Sequence, residues 1–407
     1  MRQNLSVEEA LEAILEGARP IAELEPLPLA QAYGRTLGAE LSARVSHPAA
    51  DDTAVDGYAC READTRGASP ENPVRLRVVG LAPAGQPFSQ EVGPGQAVQV
   101  FTGAPIPLGA DAVVRVEDTR REGEFVWLLR PASPADIRRR GEDLVEGQTY
   151  LHKGDLLTPA RVGLAAAMGH PVLPVVRRPR VGLLTTGDEV VEPGEPLPYG
   201  GVYNANSYTV AGLVEEAGGE PVFLGKAPDS PEELRTHLAQ TQGLDLLVTT
   251  GGVSMGERDV VRKLLEAEGQ IHFWRVRIQP GGPLLWATWN GLPLLGLPGN
   301  PVSAMVSFLL FGRPLLFRLL GRSDPPYQQL RAVAETRFEA NPARRAYRRG
   351  ILRWAGGYRV ASTGSQSSVV LRSMAVGNAL VVVEAGKPVR AGEEVEVIPL
   401  PGGKTAG

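Results

Sequence analysis

Asp245-Leu246-Leu247-Val248-Thr249-Thr250-Gly251-Gly252-Val253-Ser254-Met255-Gly256-Glu257-Arg258-Asp259 decides the fold. An apolar run of strand length ends in a double glycine, and residues 259–268 continue with helical apolar spacing. Strand, glycine loop and helix in this order make one unit of an α/β sheet, whose ligands sit beyond the strand C-termini. The same rhythm extends outward on both sides. Upstream it predicts strands at 181–184 and 222–224, a helix over 208–218 capped by Ser207, and a helix opened by Ser230 and Pro231 that runs to 240. Downstream it predicts strands at 272–278, 284–288 and 292–297, then a long apolar helix over 302–320. The centre of the chain, 179–326, is therefore expected to be a doubly wound α/β domain.

The flanks read differently. Residues 45–140 are dense in Gly and Pro with short Val-rich runs, the pattern of a β-rich domain. Segments 27–44 and 141–178 join it to the centre as an elongated linker domain with a helical stretch, and 1–26 form an amphipathic helix with no leader-like apolar run. After Pro325-Pro326 short strands return, giving a C-terminal β domain over 327–407. The fold class is multidomain, α/β plus β.

Composition narrows the function. At 407 residues, 43% hydrophobic and 22% charged, the chain buries its cores without staples. A net charge of -4 argues against a nucleic-acid partner, which calls for a basic footprint. The single cysteine, Cys60, excludes internal disulfides and Cys-rich metal sites and points to a reducing, cytoplasmic compartment. Residues 278–312 carry no charge, but Pro283, Pro293, Pro298 and Pro301, with several glycines, break them into pieces too short to span a membrane.

Three loops follow predicted strands of the central domain and should converge: Thr185-Thr186-Gly187-Asp188-Glu189, the Gly251-Gly252 loop through Asp259, and Leu297-Pro298-Gly299-Asn300-Pro301. Glycines let backbone N–H groups approach an anion, and the helix after the second loop favours negative charge at its start. Carboxylates beside an anion repel it unless a cation intervenes, so Glu189 and Asp259 suggest Mg²⁺ held through oxygen. Taken singly, Gly251-Gly252 also reads as a tight turn, Asp188-Glu189 as a solvated loop and Pro298-Gly299-Asn300-Pro301 as a rigid turn before a helix. A rival exists: Gly252-Val253-Ser254-Met255-Gly256 matches the nucleophile elbow of serine hydrolases, with Asp259 and His272 in the required order, although His272 sits in a strand-like run. Arg344, Arg345, Arg348 and Arg349 read as a solvated basic face or as an oxyanion clamp. Trp274, Trp286 and Trp289 read as core packing.

Taken together, Ala54-Val55-Asp56-Gly57-Tyr58-Ala59, Thr102-Gly103-Ala104-Pro105-Ile106-Pro107, Arg140-Gly141-Glu142-Asp143, Thr186-Gly187-Asp188-Glu189, the Gly251-Gly252 loop and Pro298-Gly299-Asn300-Pro301-Val302-Ser303 resemble the molybdopterin molybdenumtransferase family, bacterial MoeA and the E domain of gephyrin. The resemblance spans nearly the whole chain. It implies an elongated homodimer whose cleft joins the α/β domain of one subunit to the β domain of the other. It also implies Mg²⁺-dependent insertion of molybdate into adenylylated molybdopterin with release of AMP, and transient contact with other proteins of cofactor assembly. It places Asp56, Asp143, Glu189, Asp229 and Asp259 at catalytic positions, with Glu189 and Asp143 on the metal. Thr102, Gly251, Gly252, Ser254, Arg275, Arg277, Pro298, Pro301, Arg349 and Ser368 fall at substrate-binding positions. The central domain further resembles molybdopterin adenylyltransferase, which supplies an alternative activity, and gephyrin supplies a non-catalytic scaffold as another. One segment departs from the family's basic-x-x-x-Lys-Pro-Gly-Lys-Pro: here Gln279 and Gly282 stand where lysines are usual. Strand alternation places Arg275, Arg277 and Gln279 on one face, so Arg277 is the expected substitute for the missing charge.

Overall fold

The computed structural model describes residues 2–228, 230–253 and 259–402. Its centre is a seven-stranded sheet in the order Arg2–Leu5, Gln270–Val276, Leu285–Trp289, Leu292–Leu297, Leu246–Thr250, Arg180–Thr186, Glu220–Ala227. Only Leu285–Trp289 runs against its neighbours; the other pairings are parallel. Leu246–Thr250 is buried throughout, as a parallel strand covered on both faces must be. Its alternation shows the two covers: Leu246 and Val248 pack with the helices Ala205–Glu216 and Pro301–Ser307, whereas Leu247 packs with Pro231–Leu238 and Val260–Glu268. This is the expected doubly wound α/β domain.

The helix after Asn300 runs without a break from Pro301 to Leu320, with a π-turn at Phe308–Gly312, and is long and apolar enough to cross a membrane. It is instead 83% buried inside the protein, so its hydrophobicity is spent on a core.

The N-terminal segment is not a unit of its own. Arg2–Leu5 is an edge strand of the central sheet, and the helix Val7–Glu16, capped by a reciprocal Ser6–Glu9 box, buries Ala10 and Ile14 in the central core. The linker domain begins by Leu24, because Leu24–Pro28 pairs with Val172–Val176. Leu41–Ser42 pairs with Thr149–Leu151, and the helix Pro159–Ala167 closes a small core around Leu37, Leu157 and Met168.

The β-rich domain is a six-stranded sheet, Ala112–Arg115, Gly57–Cys60, Gln96–Val100, Val74–Ala82, Phe125–Leu128, Thr119–Glu122. The C-terminal domain closes on itself: Arg345–Trp354 pairs on one side with Tyr358–Ser362 and on the other with Ala379–Val383, and Leu330–Ala334 and Glu394–Pro399 complete a five-stranded barrel. Closure removes its free edges. Ile278–Gln279, arriving from the central domain, adds beside Arg345–Trp354 in parallel.

Two local expectations change. Ser207 does not cap its helix; Asn204 does, its side chain accepting from the Ser207 N–H, while the Ser207 hydroxyl meets Thr185 Oγ1 at 2.7 Å. The expected strand 272–278 is two pieces. Arg275 has φ 73°, which breaks the two-residue period, and after Val276 the chain changes sheets. Arg275 stacks its guanidinium 4.6 Å from the Trp274 ring centroid. Gln279 turns its Oε1 to Asn341 and Arg348. Arg275, Arg277 and Gln279 therefore do not share one strand face.

Candidate functional site

The three loops converge. They line a cleft of about 750 Å³ whose wall includes Thr186, Gly187, Glu189, Gly251, Gly252, Asp259, Pro298, Asn300, Pro301 and Ser303. Hydrogen bonds fasten loop to loop. The Gly251 N–H donates to Leu297 O at 3.0 Å, and Asn206 Nδ2 donates to Gly299 O at 2.7 Å. Trp274 Nε1 donates to Val253 O at 2.9 Å, so this buried tryptophan pins the glycine loop from behind. Gly251 and Gly252 take φ 91° and 66°, and a Cβ on Gly251 would stand 2.8 Å from Thr186 O. The glycines are required by backbone conformation and by close approach together.

Two carboxylates face the same space. Asp259 begins the helix Val260–Glu268 without capping it; it is buried, and its Oδ2 has no hydrogen-bond partner among the described residues. A buried carboxylate oxygen left unpaired is costly. Asn206 Oδ1 is a second buried, unpartnered oxygen beside the cleft. Sequence reasoning did not single out Asn206; its place in the first turn of Ala205–Glu216 was the available signal. Glu189 folds back over Gly187, where a Cβ would lie 2.8 Å from its Oε2. The donor atoms on offer are all hard oxygens, which suits Mg²⁺. Among the described residues no group of three metal-ligating side chains occurs, so such an ion would use one or two carboxylates and complete its shell from substrate oxygens and water.

Across the cleft stands the C-terminal domain. Val369 lines the wall, and Ser368 is tied to the third loop: Asn300 Nδ2 donates to Ser368 Oγ at 3.1 Å, and the Val302 N–H to Ser368 O at 3.2 Å. Behind them lies Arg349, fully buried. Its Nε donates to Ser373 Oγ at 3.0 Å and its Nη2 to Ser367 O at 3.0 Å, while Nη1 has no partner. Burial, with Arg348 alongside, pulls its pKa down to about 10. Arg348 is buried as well. The solvated-face expectation therefore fails for these two arginines: strand pairing on both sides of Arg345–Trp354 draws them inside.

The remaining expected residues stand apart. Asp56 and Thr102 meet on the β-rich domain, where the Asp56 carboxylate accepts from the Thr102 N–H at 2.7 Å and from its hydroxyl at 2.9 Å. Asp143 is exposed in the linker domain, its N–H on His47 O. None of these three lines the cleft within one chain, so Glu189 and Asp143 are not joined as a metal pair there. Arg277 is exposed beside Glu9, whose carboxyl is held low first by the Ser6 N–H and hydroxyl and further by Arg277; it does not line the cleft either. Asp229 and Ser254 lie outside the described residues. The hydrolase arrangement lacks support at its base: His272 Nε2 is engaged with Thr288 Oγ1 at 2.8 Å, on a strand.

A doubly wound domain with a glycine-loop cleft, carried between a linker, a β domain and a closed barrel, defines a multidomain α/β enzyme. Family models agree along the chain. The MoeA N-terminal region (domain I and II) matches 5–169, a probable molybdopterin binding domain matches 182–318, and the MoeA C-terminal region (domain IV) matches 331–400. The chain is 38% identical to molybdopterin molybdenumtransferase 2 of Mycobacterium tuberculosis, over 98% of this chain and 99% of that one. It is 34% identical to the molybdopterin molybdenumtransferase of Haemophilus influenzae, over 97% and 98%. The crystal structure of the molybdopterin biosynthesis moeA protein from Pyrococcus horikoshii OT3 superposes with a TM-score of 0.86 at 30% identity, covering 97% of this chain and 100% of that one. The chain belongs to the molybdopterin molybdenumtransferase (MoeA) family of enzymes, which serves molybdenum cofactor biosynthesis.

Proposed function

We propose that this chain inserts molybdate into the dithiolene of adenylylated molybdopterin, with Mg²⁺, releasing AMP, and that it works as a cytoplasmic homodimer. The observation that carries this reading is Arg349, a buried cation without a carboxylate partner among the described residues, set behind Ser368 at the edge of a cleft whose opposite wall holds Glu189 and Asp259. A cleft with carboxylates at one end and an unneutralised arginine at the other suits a substrate that brings both an oxyanion and a metal-bridged phosphate. When bound, Mg²⁺ would supply charge neutralisation at phosphate oxygens, held by Glu189 and Asp259.

The chain's own residues do the rest. Gly251 and Gly252 bring backbone against the substrate where a side chain would block it. Arg349 orders the loop that carries Ser368 by donating to Ser367 O, and so orients an oxyanion near the sulfurs. Two thiol protons and one molybdate oxygen leave as water while two Mo–S bonds form, and one water opens the phosphoanhydride. No protein nucleophile is needed. The test is reconstitution of an apo-molybdoenzyme with purified protein, adenylylated molybdopterin, molybdate and Mg²⁺, following AMP release in parallel. Glu189→Gln should nearly abolish magnesium-dependent insertion with an unchanged melting temperature, because charge is removed without shape. Full activity with the same Mg²⁺ dependence would remove Glu189 from the mechanism.

A further inference from the structure

Thr185 and Thr250 stand where two apolar rows reach the cleft. On Arg180–Thr186, Val181 and Leu183 point into the core shared with the helix Ala205–Glu216, and on Leu246–Thr250 so do Leu246 and Val248. Strand alternation puts Thr185 and Thr250 next in these two rows. Both are buried, and both line the cleft. Ser207, also buried, meets them from the helix. Thr185 Oγ1 lies 2.7 Å from Ser207 Oγ and 3.1 Å from Thr250 Oγ1, so three hydroxyls form one chain that ends at the cleft.

The proton order along that chain is set from its far end. Asn204 Nδ2 donates to Glu192 Oε1 at 2.7 Å, and Asn204 Oδ1 accepts the Ser207 N–H at 3.1 Å. Since a carboxylate only accepts and an N–H only donates, the two contacts fix the same orientation of the amide. Asn204 Nδ2 then also donates to Ser207 Oγ, at 2.9 Å. The hydroxyl proton of Ser207 is left one acceptor among the described residues, Thr185 Oγ1. Thr185, already accepting, has its own proton for Thr250 Oγ1 at 3.1 Å or for Asn204 Oδ1 at 3.4 Å. Among the described residues the Thr250 hydroxyl proton has no acceptor except Thr185. A ligand can take that proton without leaving a buried hydroxyl unpaired, because Thr185 gives up only its longer contact.

We propose that Thr250 is a substrate-binding residue, its hydroxyl donating to a phosphate oxygen of the nucleotide, and that Ser207 is the positioning residue that keeps it a donor. The inference rests on the proposed transferase reading, which sets the nucleotide phosphate against Gly251 and Gly252, the two residues that follow Thr250. A hydroxyl that accepts a hydrogen bond from behind is polarised and donates more strongly to an anion in front. Molybdate offers oxygens of similar chemistry, and separate titrations tell the two apart.

Full-length protein is titrated calorimetrically with AMP in a buffer containing Mg²⁺ and, in a second series, with sodium molybdate. Thr250→Val keeps the branched shape of a strand residue and removes the donor, so it should raise the AMP Kd by about tenfold, the worth of a hydrogen bond to a charged group. Thr250→Ser, which restores the hydroxyl, should stay within about twofold of wild type. Ser207→Ala turns the Thr250 proton inward to Thr185. It should raise the AMP Kd by about threefold in the wild-type background and cause no further loss beside Thr250→Val. A purely structural effect of Ser207 would persist in both backgrounds. An unchanged AMP Kd in Thr250→Val overturns the inference. So do a loss confined to molybdate, a Thr250→Ser protein as weak as Thr250→Val, additive losses in the double variant, and wild-type protein that does not bind AMP. Should wild type insert molybdate while Thr250→Val binds AMP as wild type does, only this assignment fails. If wild type inserts none, the transferase reading itself fails.

Discussion

Asp56 shows how little is needed to set a carboxylate's charge. It is exposed, yet the Thr102 N–H and then the Thr102 hydroxyl hold its pKa below the usual 3.8. Because the folded state prefers the ionised form, the stabilisation is present above the ordinary carboxylate range and is lost as pH falls through the lowered value. Thr102→Val removes the hydroxyl and keeps the N–H. The Asp56 titration, followed by carboxyl-detected NMR, should therefore move up but remain below 3.8; a curve identical to wild type would mean that the hydroxyl bond is not formed in solution. Side chains of this kind were legible in the sequence when chemistry and chain position agreed, as for Glu189 and Asp259 after predicted strands. Arg348 and Arg349 were not. A run of arginines looks solvated until two neighbouring strands close over it, and that closure comes from residues 358–383, far from any local pattern.

The strand, glycine loop and helix at 246–268 work as one device, and Gly251 is its most constrained point. Alanine there meets both an unfavourable φ of 91° and Thr186 O at 2.8 Å. Gly225 has φ 80° but nothing within 4 Å of its absent Cβ, so Gly225→Ala carries the conformational cost alone. Strain of the first kind is worth about 1–3 kcal/mol. Urea denaturation should show Gly251→Ala losing clearly more stability than Gly225→Ala, and equal losses would discount the contact with Thr186. The alternation that predicted these elements was readable because buried parallel strands are short apolar runs and the helices between them are amphipathic. Arg2–Leu5 was not readable: three of its four residues are polar, and it is a strand only because Gln270–Val276 offers a parallel edge. The break at Arg275 was hidden for a similar reason, since the change of sheet depends on the barrel strand that receives Ile278–Gln279.

Within a single chain the expected machinery stands in three places. Glu189 and Asp259 share the cleft, whereas Asp56 and Thr102 are on the β-rich domain and Asp143 on the linker. The family resemblance implied this separation through a cleft built from two subunits, but no period or spacing in the sequence states which surfaces of two copies meet. The proposed homodimer turns the separation into a measurement. With two-fold symmetry each dimer has two equivalent clefts, each drawing Glu189 from one chain and Asp56 from the other. Asp56→Asn and Glu189→Gln homodimers then carry a defect in both clefts. A mixed dimer carries both defects in one cleft and none in the other. Random exchange makes about half the dimers mixed, so an equimolar mixture of two inactive proteins should regain about a quarter of wild-type insertion activity. If exchange is proven by differently tagged chains and no activity returns, Asp56 and Glu189 serve the same cleft from the same chain, and the two-subunit site must be abandoned.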